Sequence, residues 1–169
     1  MGVTIHFEGS LKSRQAFDEL ADIAIKFANE RQFAVSTFHE DNKLLQRVRN
    51  EQDWDYQGPT DGILIHASEA CDPINLEFDE NLHLQEYCKT QFAGCEIHIL
   101  ICALLRLIEP FFANLQVYDE AEYWETGDRS ILETHLEKVF EMIEEAKNEN
   151  GKLDGPFRVN GRIVDLIEK

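Results

Sequence analysis

Three of the four cysteines, Cys88, Cys95 and Cys102, fall within fifteen residues of one another, and His98 stands among them. Thiolate and imidazole groups can hold zinc, or can pair as nucleophile and base. On a helix the spacing i, i+3, i+7 sets Cys95, His98 and Cys102 along one side, with Cys88 or His66 available to complete a tetrahedral set. The close Cys-x2-Cys spacing typical of structural zinc is missing. The neighbours Ile97, Ile99, Leu100, Ile101, Ala103, Leu104 and Leu105 are those of a core helix, in which cysteine packs as a small hydrophobe. The stretch therefore reads as core, with His98 a hydrogen-bonded core histidine, and no metal or cofactor is assigned. The competing reading makes Cys95 a nucleophile, because it follows Gly94 at a helix start where the macrodipole favours thiolate, with His98 one turn away as base. A Cys95–Cys102 disulfide fails on geometry: seven helical residues rise about 10.5 Å, beyond the roughly 7 Å limit between bridged α-carbons.

Carboxylates supply the second candidate. "YDEAEYWETGD" crowds Asp119, Glu120, Glu122, Glu125 and Asp128 around Tyr123 and Trp124. Such a group can bind a hard cation or raise one another's pKa for acid–base work, although the calcium-loop template is not matched. The same residues can form a protein-binding edge, with aromatics for contact and acids to choose a basic partner. A third candidate is "KTQFAG", where Lys89, Thr90 and Gln91 precede Gly94 and the free N–H groups of a helix start, a setting for an anion. The fourth is a polar sheet face bearing His6, Glu8, Asn75, Glu77, His83 and Gln85. If their strands are neighbours, His6, Glu77 and His83 can gather as metal ligands.

The elements that must position these groups are legible as periods. "VTIHFEG" alternates with the two-residue period of a half-buried strand, and Ser10 or Ser13 then caps a helix whose apolar side is Phe17, Leu20, Ala21, Ala24, Phe27 and Ala28. "FAVSTF" and "KLLQRVR" flank "HEDN" as a hairpin, residues 51–62 form a turn-rich connection, and "ILIH" suits a central strand. "INLEFDENLHLQEY" predicts a second hairpin, with Ile74, Leu76, Phe78, Leu82 and Leu84 facing inward. A buried helix follows over about 95–112, limited by Pro110. A strand at 115–119 leads to a last long helix that starts at Asp128 or Ser130. Ser130-x-x-Glu133 is a capping box there, and Leu132, Leu136, Val139, Phe140 and Ile143 make the inward stripe. Asn160-Gly161 marks a C-terminal hairpin.

The fold class expected is α+β: a mainly antiparallel sheet with helices packed on one face. It forms a single domain over 1–169, with 152–169 a hairpin-like tail. A length of 169 residues and a 43% hydrophobic fraction support a packed core. The formal charge of −17 repels nucleic-acid phosphates and anionic lipid, so neither nucleic acid nor membrane is expected as a partner. Irregularly spaced cysteines fit free thiols in a cytoplasmic setting. No secretory signal or membrane-spanning run is read.

Through "GPTDGILIH", "KTQFAGCEIH" and "YWETGD" the chain resembles a bacterial family of uncharacterised proteins, over about residues 56–136. The resemblance implies a shared fold and a shared surface built from Lys89, Gln91, Glu122, Tyr123, Trp124 and Glu125. It implies no activity. The G-x-S-x-G elbow, the Walker loop, the dinucleotide fingerprint and H-E-x-x-H are all lacking. The function expected is an acidic, protein-binding module, inhibitor- or immunity-like, for a basic partner. Its rival is a metal-assisted or carboxylate-based hydrolase using the 119–128 loop.

Overall fold

A computed structural model of the chain describes residues 2–169. Strand β1 (Thr4–Leu11) leads to helix α1 (Arg14–Glu30), capped by Ser13, whose Oγ accepts from the Ala16 N–H at 3.1 Å. Then come β2 (Ala34–Leu45), the short pair β3 (Val48–Arg49) and β4 (Gln52–Asp53), and β5 (Tyr56–His66). Strands β6 (Ile74–Phe78) and β7 (His83–Lys89) precede α2 (Cys95–Ile108), which starts at Gly94 with a φ of 87°. A 3₁₀ turn (Glu109–Phe111) passes into β8 (Phe112–Asp119). One turn of helix, α3 (Tyr123–Thr126), then precedes the long α4 (Arg129–Glu149). The tail holds β9 (Leu153–Asp154), β10 (Phe157–Val159), β11 (Arg162–Val164) and β12 (Ile167–Glu168).

The larger strands form two three-stranded sheets, ordered β2-β5-β6 and β7-β1-β8, and every ladder is antiparallel. The expected α+β class therefore holds. The β6–β7 turn joins the two sheets. Asp79 Oδ1 accepts from the Asn81 and His83 N–H groups at 2.8 and 3.0 Å, and the Asp79 N–H donates to the His83 carbonyl at 3.0 Å. Beyond that turn β6 and β7 form no ladder with each other, each pairing within its own sheet, and the chain meets again where the Asp72 N–H donates to the Lys89 carbonyl at 3.0 Å.

Alternation explains the layering. Ile5 and Phe7 of β1, Ile63 and Ile65 of β5, Ile74, Leu76 and Phe78 of β6, and Leu84 and Cys88 of β7 share one buried cluster. Onto it pack Phe17, Leu20, Ala24 and Phe27 of α1 and Ile101, Leu104, Leu105 and Ile108 of α2. Helix α4 adds a smaller cluster, with Leu132 and Leu136 against Val3 and Ala121.

Several boundaries differ from expectation. "HEDN" is not a turn: β2 runs through it as one strand, absorbing the extra residues in a register shift between Glu40 and Lys43. Much of 51–62 is strand, because β5 must match the length of β2. The buried helix ends at Ile108, where Glu109-Pro110 tightens the chain, and Phe112 already belongs to β8. It also leaves Arg106 and Leu107 exposed. Asp128, not a Ser130–Glu133 box, caps α4, while Glu133 pairs with Arg129. Phe140 is 45% exposed, edge-on to Phe92. Asn160 and Gly161, with φ of 50° and 80°, make the expected tight turn between β10 and β11.

Phe78 lies between Phe17 and Phe112, at centroid separations of 5.7 and 6.0 Å. Phe78→Ala is expected to cost about 3–5 kcal/mol in urea unfolding. Phe140→Ala, at the outer face, is expected to cost less than about 1 kcal/mol.

Candidate functional site

The end of the β7-β1-β8 sheet brings the two motif stretches together. Thr4 pairs with Lys89 and Ile5 with Asp119, so "KTQFAG" and the 119–128 loop leave the sheet side by side. His98 joins them. Its Nδ1 lies 2.7 Å from Thr90 Oγ1, and its Nε2 lies 2.9 Å from Asp119 Oδ2. Asp119 also accepts from the Trp124 N–H on Oδ2 (2.9 Å) and the Ala121 N–H on Oδ1 (2.8 Å). Hydroxyl, imidazole and carboxylate stand in the order of a hydrolytic triad. Yet Thr90 and His98 are 0% exposed and Asp119 2%, so no substrate reaches the hydroxyl. The chemistry of the group is that of a bolt between two loops.

Among the described residues, His98, Cys102 and Asp119 are the one group of ligand-type side chains whose donor atoms converge. Burial pushes the Cys102 thiol well up, and the Asp119 charge adds to this. The sulfur therefore stays protonated, pointing at Asp119 Oδ2 from 3.9 Å. Burial also raises the Asp119 carboxyl, but the His98 ring and the two backbone N–H groups outweigh it and hold the carboxyl below its ordinary value. The nucleophile reading loses its base, since both His98 nitrogens are engaged elsewhere. Burial, with the charge of Glu133, moves the Cys95 thiol up, not down.

The remaining motif residues have separate employments. Lys89 Nζ and Gln91 Nε2 both donate to Asp165 Oδ1, at 2.9 and 2.7 Å, while Gln91 Oε1 accepts from the Val3 N–H. The anion held at "KTQFAG" is thus the chain's own carboxylate. Glu120 accepts from the Thr4 N–H and meets His6 Nε2 at 3.3 Å. Glu122 meets His135 Nε2 at 2.7 Å, and Asp128 caps α4. Glu125 is exposed. Tyr123 and Trp124 pack on the core, and the Arg106 guanidinium sits 3.4 Å above the Trp124 ring. The five carboxylates do not converge.

A cleft of about 780 Å³ opens over the outward faces of the two sheets, between β1, β7 and β8 on one side and the Lys43–Val48 segment on the other. Of the six residues expected on the polar sheet face, His6, Glu8, Asn75, Glu77 and Gln85 line it. His83 does not: it sits beside the cleft, with Ser10 Oγ at 2.8 Å and Glu8 Oε1 at 3.2 Å. The metal-ligand trio of His6, Glu77 and His83 does not form, because β6 belongs to the other sheet. Glu77 instead takes Lys43 Nζ at 3.0 Å and Thr60 Oγ1 at 2.8 Å. Across the gap Asn75 Nδ2 donates to both Glu77 and Glu86 at 3.2 Å, and Arg162 Nη2 meets Glu86 at 2.8 Å. Burial raises the Glu86 carboxyl against the pull of Arg162. Asn75 Oδ1 is buried and accepts no hydrogen bond among the described residues.

Tyr87, Gln116, Tyr118, Lys43 and Arg162 are among the lining residues that the sequence reading missed. Tyr87 continues the parity of His83 and Gln85, and Gln116 and Tyr118 share the outward parity of "LQVYD", so a strict count of alternation finds them. Lys43 and Arg162 carry no local signal, since only the folded β2 and tail bring them over the sheet. Comparison with protein families, with curated proteins and with solved structures finds no match for this chain.

Two measurements test the bolt. Asp119→Asn is expected to cost about 3–5 kcal/mol near neutral pH, the usual penalty for breaking a buried pair. A depressed carboxyl contributes fully above its ordinary 3.8 and loses that contribution as pH falls through the lower folded value. The variant and parent should therefore converge as urea unfolding is repeated at increasingly acid pH. In native protein a bulky thiol reagent should modify Cys95, while Cys71, Cys88 and Cys102, at 1%, 0% and 3% exposure, react only on unfolding.

Proposed function

We propose that the chain is a protein-binding module whose recognition surface is the cleft over the two sheets, and that its partner presents a basic segment. The observation that carries this reading is the make-up of the cleft. Glu8, Glu77 and Glu86 line it, and Tyr87, Tyr118, Leu44 and Val48 stand around it at 43%, 63%, 53% and 55% exposure. Exposed aromatics give contact area at low entropic cost, and carboxylates select cations. Lys43 and Arg162 neutralise part of the floor, but a molecule of net charge −17 still draws basic partners from a distance.

An inhibitor- or immunity-like role against a basic protein falls within this reading. The edge of Glu122, Tyr123, Trp124 and Glu125 supports it less well, because Trp124 is covered by Arg106 on one side and the core on the other. The hydrolase reading has less support still, because the 119–128 carboxylates point to separate partners. No helix among the described residues is long and apolar enough to cross a membrane.

Titration of isotope-labelled protein with a hexa-arginine peptide at low salt is expected to shift the amide signals of His6, Glu8, Tyr87 and Tyr118. Tyr118→Ala and Glu8→Gln should each weaken binding by about tenfold or more. A hexaglutamate peptide should leave the spectrum unchanged. Shifts confined to Tyr123–Glu125 would move the surface to the acidic edge, and no shift would remove the cleft as a basic-segment site.

A further inference from the structure

The free edge of β8 borders the cleft. In the ladder to β1, the Glu120 N–H donates to the Thr4 carbonyl at 3.1 Å, and Ile5 stands opposite Asp119. Antiparallel alternation then turns the backbone groups of Asn114, Gln116 and Tyr118 toward β1 and those of Leu115 and Val117 away from it. The outward groups of Leu115 and Val117 have no protein hydrogen-bond partner among the described residues.

Exposed edges invite strand addition, and proteins ordinarily guard them with charge, proline or a bulge. The opposite edge, β2, is guarded: its register breaks between Glu40 and Lys43, and it carries His39, Glu40, Asp41 and Lys43. Strand β7 is backed by the β6 hairpin, and Arg162 donates to the Tyr87 carbonyl at 2.8 Å. By contrast, residues 114–118 read "NLQVY", without charge or proline, in a chain that is 29% charged, and the one register shift of this ladder falls before them, at Ala113.

We infer that the β8 edge accepts an extended basic segment of the partner protein as an added antiparallel strand, which rests on the binding reading above. The side chains on the two faces of β8 specify the segment. Gln116 and Tyr118 line the cleft on the outward parity, whereas Leu115 and Val117 are half-buried against the core cluster, Val117 also reaching the cleft wall. An added strand therefore meets the cleft with one set of alternate residues and an apolar shoulder with the other. It lies about 9.6 Å from β1, two inter-strand spacings, a gap that a lysine or arginine largely spans. On β1 it faces Glu8, which stands opposite Gln116, and near the end of β8 it faces Glu120. The occupant is thus a segment alternating basic with apolar residues. A second copy of this chain is disfavoured because it brings the same −17 charge.

The probe is a capped octapeptide of four Lys-Val repeats, with two analogues N-methylated at the valines or at the lysines. Valines stand opposite Leu115 and Val117 and must donate to them. Hydrogen exchange at the Leu115 and Val117 amides should slow by about tenfold or more with the parent peptide. Valine methylation should weaken binding by about tenfold or more, while lysine methylation leaves it nearly unchanged. If all three peptides bind alike, with Leu115 and Val117 unprotected but with Glu8→Gln weakening them, strand addition is wrong and the cleft reading survives. Failure of the parent peptide to bind at low salt overturns both. Protected Leu115 and Val117 amides without peptide, together with a dimer mass in light scattering, assign the edge to a second copy and overturn the proposal.

Discussion

A guanidinium held 2.7 Å from a carboxylate, with side-chain exposures of only 2% and 5%, fixes the turn from which the two sheets part. Arg47 also donates to the His83 carbonyl at 3.0 Å and lies between Trp54 and Tyr56, at 5.6 and 5.5 Å from their rings. Two charges this far from water are stable only when their hydrogen bonds are largely satisfied. Asp79 meets that condition through the Asn81 and His83 N–H groups, so the turn geometry and the ion pair require one another. Arg47 lies just beyond β2, and the contact therefore also ties the arm from Lys43 to Val48 across the open face. The cleft is the space left between this arm and the outward faces of β1, β7 and β8.

At the other end of the β7-β1-β8 sheet, residues with the vocabulary of catalysis are spent on architecture. Thr90, His98 and Asp119 sit in a line that would be reactive at a surface. Buried, they connect the start of α2 to the loop after β8. Desolvation is what separates the two outcomes, because a polar group without water must keep the partners it folded with. The same logic applies to Lys89 and Gln91, which serve Asp165, and to Gln91 again, which closes the start of β1 through Val3.

Much of the fold was legible because period and burial agree. Ile5, Phe7, Ile74, Leu76 and Phe78 alternate as a sheet facing a core must, and the Asn160-Gly161 turn follows from its residues alone. His98 was legible as a core histidine from its apolar neighbours. What escaped was long-range. The continuity of β2 through "HEDN" depends on pairing with a β5 that itself reads as turn, a case in which tertiary pairing overrides local composition. The cleft escaped in the same way. Its floor alternates visibly on β1, β6 and β7, but whether those faces meet depends on strand order, which no local period encodes. The buried Arg47 gave no sign at all, since one arginine in a polar run looks solvated.

The ion pair between Glu86 and Arg162 spans 76 residues of chain. At the usual pace of synthesis, on the order of 5–20 residues per second, Glu86 emerges roughly 4–15 s before its counter-charge exists. For that interval a nascent chain carries the strand wall of the cleft without the tail that braces it, and the carboxylate remains dependent on water. The bracing of this wall is therefore completed late in translation, after the residues of both sheets have been synthesised.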